Sequence, residues 1–115
     1  MSQIINNINN TQINKNMLSS IVTLATKEIT GVVGIAQQPF YSLKKIFNKN
    51  CGYGVEIVFS KLGLIIDVYI IVEIGFEVAD VVYRVQQNIK NSISSMLDMP
   101  IKAINVHIMD AEKHK

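Results

Sequence analysis

The sequence predicts an α+β fold: a two-layer sandwich with two main helices packed on a three- to four-stranded mixed sheet, in the order α-β-β-β-α-β. Three observations predict it. From Leu64 to Ile74 the residues alternate, so that Leu64, Ile66, Val68, Ile70, Val72 and Ile74 share one aliphatic face, the pattern of a central strand with one side fully buried. From Val78 to Leu97, apolar residues at 78, 81, 82, 85, 89, 93, 96 and 97 recur every three or four positions, the stripe of an amphipathic helix. A length of 115 residues allows one core, which buries roughly 65% of the surface of the unfolded chain.

Residues 1–12 are rich in Asn and nearly uncharged, with Ile4, Ile5 and Ile8 in no sustained period, and read as a flexible tail ahead of a single domain at 13–110. The first helix is expected over Lys15 to Thr30. Leu18, Ile21, Val22, Ala25 and Ile29 repeat at helical spacing, Asn14 serves as N-cap, Ile13 staples onto Leu18, and Gly31 supplies the stop. Val32 to Ala36 is short, uncharged and rich in β-branched residues, which favours a strand. Residues 37–54 are irregular, with Pro39 and the lysines Lys44, Lys45 and Lys49, and Phe40, Leu43 and Phe47 lining one side of a short helix.

Val55, Ile57 and Phe59 alternate with Glu56, Val58 and Ser60 in a half-buried strand, and Lys61, Leu62 and Gly63 make the turn into the central one. Gly75 ends that strand. Glu77 and Asp80 sit in the first turn of the second helix, where they suit its dipole, and Asp80 reaches Arg84 four residues on. Pro100 disfavours helical geometry at Met99, so the helix stops by Asp98. In the last strand Ile104, Val106 and Ile108 face the core while Asn105 and His107 face away, and 111–115 form a basic tail.

Composition excludes several classes of function. A net charge of +2 gives no general electrostatic attraction to nucleic acid. Cys51 is the single cysteine, so no intrachain disulfide forms and a reducing compartment is the natural reading. The amino-terminal residues lack the basic start and apolar block of a signal peptide. The apolar stretch from Leu62 to Val72 is cut by Asp67 and bounded by Lys61 and Glu73, well short of the ~20 residues a spanning helix needs.

No catalytic, metal-binding or cofactor-binding residue is nominated. Asp67 and Glu73 share a strand face, but six residues at ~3.3 Å each hold them ~20 Å apart, too far for a carboxylate pair. Glu56 is the available cross-strand partner for such an acid. His107 and His114 lack neighbours at metal-ligand spacing, and Ser92, Ser94 and Ser95 lack the glycine-flanked elbow of an acyl-transfer nucleophile. The glycines at 31 and 34 and at 52 and 54 lack the remaining residues of a phosphate loop and read as turn glycines. The candidate partner surface is the polar side of the second helix, Arg84, Gln87, Asn88 and Asn91, whose amides suit a protein partner, together with Lys44 and Lys45 in the preceding loop.

The segments MLSSIVTLATKEITGVVGI, GVEIVF, LIIDVYIIVEIG, EVADVVYRVQQNIKNSISSMLDM and IKAINVHIMD, in that order and spacing, resemble the alkaline shock protein family, also called the envelope stress response family, of Gram-positive bacteria and their wall-less relatives. The likeness covers residues 12–110 and departs from the family at Thr30, where an acid is usual, and in the Asn-rich start. It implies a cytoplasmic, non-enzymatic protein of cell-envelope homeostasis, with no catalytic residues and no cofactor to carry over. Its implied partners are itself and a membrane protein, in some members a small anchor that places the family peripherally at the inner face of the membrane. The sheet edge or the second helix is the contact surface this suggests. The alternative implied role is regulation of fatty-acid synthesis through the biotin-dependent acetyl-CoA carboxylase.

Overall fold

The computed structural model describes residues 2–36 and 54–113, the side chains of 2–14 excepted. The elements are α1 (Ser2–Lys27), β1 (Val32–Ile35), β2 (Val55–Ser60), β3 (Gly63–Glu73), α2 (Val78–Met96) and β4 (Ile101–Glu112), the expected α-β-β-β-α-β order of an α+β fold. The sheet is mixed. Along one side of β3, β2 pairs antiparallel with its first half and β1 antiparallel with its second, while β4 pairs parallel along the other side.

β1 and β2 behave as one edge strand broken in the middle. The Ala36 N–H donates to Tyr69 O (2.7 Å), the Gly54 N–H to Ala36 O (3.0 Å) and the Tyr69 N–H to Gly54 O (3.0 Å), so a single β3 residue joins both pieces across the break. Residues 37–53 leave from this point; Lys44, Lys45, Cys51 and the short helix expected over Phe40 to Phe47 lie outside the described residues.

The helices cover one face of the sheet. Leu64, Ile66, Val68, Ile70 and Val72 of β3 are buried against Leu18, Val22 and Ala25 of α1 and Val81, Val85, Ile89 and Ile93 of α2 in one continuous core. The spacing of the α2 residues, 81, 85, 89 and 93, is one stripe of a helix, and each such side chain contributes about 1.5–3 kcal/mol when removed from water. Buried Thr26 satisfies its own hydroxyl by donating to Val22 O (2.7 Å).

Two glycines are dictated by the packing. Gly31 has φ +104°, and a Cβ there would stand 2.7 Å from Val81 Cγ2 and 3.1 Å from the Phe76 ring, so the α1–β1 turn closes against α2 only without a side chain. Gly63, φ +131°, lies so close to Pro100 that a Cβ would fall 2.6 Å from its carbonyl oxygen. The Leu64 N–H donates to that same oxygen (2.9 Å), which starts the parallel β3–β4 pairing.

Several boundaries differ from the sequence expectation. Helix α1 begins at Ser2 rather than Lys15, so residues 2–12, expected as a flexible tail, are helical, and Asn14 is inside the helix instead of capping it. No Gly or Pro interrupts residues 2–27, and extending a helix is far less costly than nucleating one. β4 continues to Glu112, into the expected basic tail, because Ile71, Val72 and Glu73 of β3 supply partners for 110–112. Ile74, expected on the buried row, is 56% exposed because β3 ends at Glu73. Ile108, expected in the core, is 38% exposed at the sheet margin.

Candidate functional site

Strand alternation that buries one face of β3 leaves Ile65, Asp67, Tyr69, Ile71 and Glu73 on the other, each only half-buried. The parallel register sets Asp67 beside Asn105 and Tyr69 beside His107, and the antiparallel register on the other side sets Asp67 beside Glu56. The polar residues of three strands are thereby gathered in the middle of the outward face.

The side chains there form a connected group. The His107 Nε2 lies 2.8 Å from Asp67 Oδ1, and because a carboxylate only accepts, the imidazole nitrogen is the donor. The Asn105 Nδ2 donates to the same oxygen at 3.1 Å. The imidazole is also stacked on the Tyr69 ring, with centroids 4.4 Å apart and planes 11° from parallel. Donation on one edge and stacking on one face fix the orientation of His107, whose side chain is still 40% exposed. Around this group lie Val58, 51% exposed, and half-buried Ile65 and Ile71. The patch offers hydrogen-bonding groups, an aromatic surface and aliphatic side chains, with exposed Glu56 beside Asp67, the mixture a protein contact uses.

Sequence spacing places His107 without a carboxylate neighbour, and the fold supplies one in Asp67. The strand alternation that puts Asp67 and Tyr69 on one face, and Asn105 and His107 on one face, was the available signal; the register between the two strands was the missing piece. A histidine held by a carboxylate is also the geometry of a general base. Among the described residues no three His, Cys, Asp or Glu side chains converge.

The residues of the second helix are dispersed in their roles. Arg84 is exposed, its Nε 3.1 Å from Asp80 Oδ2. Asn91 is exposed and Gln87 half-buried. Asn88 faces inward to the other helix: its Nδ2 donates to Ala25 O (2.7 Å) and to Glu28 Oε2 (3.0 Å), tying α2 to α1. Gln86, which the sequence does not single out, performs the same service toward the sheet, with its Nε2 donating to Ile104 O at 2.9 Å. Lys44 and Lys45 lie outside the described residues.

Among the described residues, two clefts lie along α1. One of about 510 Å3 is lined by Ser19, Thr23, Lys27, Gly34, Gly54 and Val55 among others. The second, of about 320 Å3, lies against Lys15, Asn16, Ser19, Val55 and Ile57. The Thr23 hydroxyl is directed back to Ser19 O (2.8 Å), away from any incoming group. No helix among the described residues is long and apolar enough to cross a membrane.

Comparison with known proteins gives a consistent picture. The uncharacterized protein YqhY of Bacillus subtilis (strain 168) is 31% identical over 94 residues, covering 81% of this chain and 70% of its own. The uncharacterized protein Spy1614 of Streptococcus pyogenes serotype M6 is 26% identical over 104 residues, 86% of this chain and 84% of its own. The uncharacterized protein YloU of Bacillus subtilis (strain 168) is 25% identical over 99 residues, 84% of this chain and 82% of its own. No solved structure matches. A model of the ASP23 family, described as having a cell envelope-related function, matches residues 3–112, and the chain belongs to that family, the alkaline shock protein family.

Proposed function

We propose that this protein is a non-catalytic binding or scaffold protein of cell-envelope stress homeostasis, working in the cytoplasm through contact with itself and with a membrane protein. The observation that carries the reading is the family match from residue 3 to residue 112, which attaches a cell envelope-related function to essentially the whole fold. The outward sheet face supports it. His107 and Asn105 both donate to Asp67 there, with Val58, Ile65 and Ile71 on the same face, an arrangement suited to docking a surface rather than to holding a small substrate. Contact with the membrane then runs through the protein partner, which places the chain peripherally at the inner face.

The test is affinity purification of the tagged full chain from its host after gentle membrane solubilisation, followed by identification of the bound proteins. The reading expects the untagged chain and an integral membrane protein, the membrane protein being lost when the outward face is altered by Ile65→Lys. Recovery of acetyl-CoA carboxylase subunits in their place would overturn it in favour of regulation of fatty-acid synthesis.

A further inference from the structure

We propose that the outer edge of β4 is the self-association surface: two copies pair β4 antiparallel to β4 about a two-fold axis normal to the sheet and centred on Val106. This rests on the self-association reading above and gives it a surface and a register.

β4 is twelve residues long, and among the described residues it pairs with β3 alone, so the outer side of its backbone has no strand partner; on that side Ile104 O accepts from Gln86 Nε2 of α2 (2.9 Å), and a carbonyl oxygen keeps a second lone pair for a strand. Two register shifts against β3 leave Lys102 and Met109 as extra residues and enclose the regular run Ala103–Ile108. That run, AINVHI, has no charge, proline or glycine, the devices by which monomeric proteins blunt a sheet edge. The core row is also unfinished there, since Ile104 and Val106 are only half-buried and Ile108 is 38% exposed.

What selects a second copy is the symmetry of the charges. Lys102 and Asp110 are both exposed, and each stands four residues from Val106, on opposite sides. With Val106 opposite its own counterpart, Ile104 faces Ile108 of the second copy, Asn105 faces His107, and Lys102 approaches Asp110 at both ends. Neighbouring registers lose this match. Centring on Asn105 sets Lys102 against Ile108, and centring on His107 sets Asp110 against Ile104 and the two imidazoles against each other. A slip of one residue joins the apolar row of one copy to the polar row of the other. In the register centred on Val106 the inner apolar rows become continuous across the axis, and Asn105 and His107 extend the polar patch of each copy into one surface.

The experiment uses the full chain and measures association by sedimentation equilibrium. Each of Lys102→Glu and Asp110→Lys places like charges at both ends of the pair and is expected to weaken dimerisation by about tenfold or more, whereas the double charge swap restores it. Register is read by cysteine cross-linking in a Cys51→Ser background. Val106→Cys is expected to give disulfide-linked dimers on mild oxidation, because directly opposed Cα atoms of antiparallel strands are about 4.5–5.5 Å apart. Lys102→Cys gives none, its two copies being separated by roughly 26 Å along the strands. Association that ignores both charge reversals and yields no cross-link in the Val106→Cys variant overturns the β4 surface while leaving self-association intact. A chain that stays monomeric at high concentration overturns both. Should Val106→Cys fail to fold, the charge-swap pair decides alone, since Lys102 and Asp110 are exposed and outside the core.

Discussion

The two faces of β3 are made by one eleven-residue strand, yet they obey different constraints. On the inward face Leu64, Ile66, Val68 and Ile70 are fully buried between two helices, where any change of volume is felt by close-packed neighbours. On the outward face Asp67 and Tyr69 are only half-buried and are held by Asn105 and His107 from the adjoining strand. The inward face specifies the fold and leaves little freedom for anything else. The outward face is supported by that rigid layer and is free to carry recognition.

The largest expected effect tests this contrast directly. Ile66→Ala should lower unfolding stability by about 2–5 kcal/mol, as cavity-forming changes in a core do, while Ile65→Ala on the opposite face should lose roughly 1 kcal/mol. Urea denaturation at fixed protein concentration measures both, and equal losses would show that the outward face is packed as tightly as the inward one. A double-mutant cycle on Asp67→Ala and His107→Ala comes next, with a coupling of about 0.5–1 kcal/mol for this partly exposed pair. Coupling near zero would mean that the short contact orients the imidazole without stabilising the sheet. The smallest effect belongs to the helix surface. Arg84→Ala should cost under about 0.5 kcal/mol, because its ion pair with Asp80 is at least half exposed and spans one helical turn; a larger loss would place Arg84 in a contact the fold does not show.

Much of the fold was legible in the residues because helices and strands announce themselves by local period. The stripe 81, 85, 89, 93 became the buried side of α2, Pro100 fell just after its end, and the alternation from Leu64 became the buried row of β3. The start of α1 was not legible. Its cap signal at Asn14 is real as chemistry, but a cap only competes with continued helix, and nothing from Ser2 onward interrupts one. Asn88 reads as a surface amide because its neighbours in sequence are polar, and only the docking of α1 against α2 turns it inward to Ala25 and Glu28.

By itself the sequence determined which residues form most of each element, which side of each is apolar, and the family to which the chain belongs. Tertiary structure alone decided what stands beside what. Asp67 and His107 are forty residues apart in the chain and 2.8 Å apart in the fold, brought together by a parallel strand register that no local period encodes. The same is true of the outer side of β4, which has no strand partner among the described residues, because whether a strand lies at the centre or the edge of a sheet depends on how many other strands arrive to pair with it. Local period is set by backbone geometry within a few residues, whereas register and edge position are set by the packing of the whole layer.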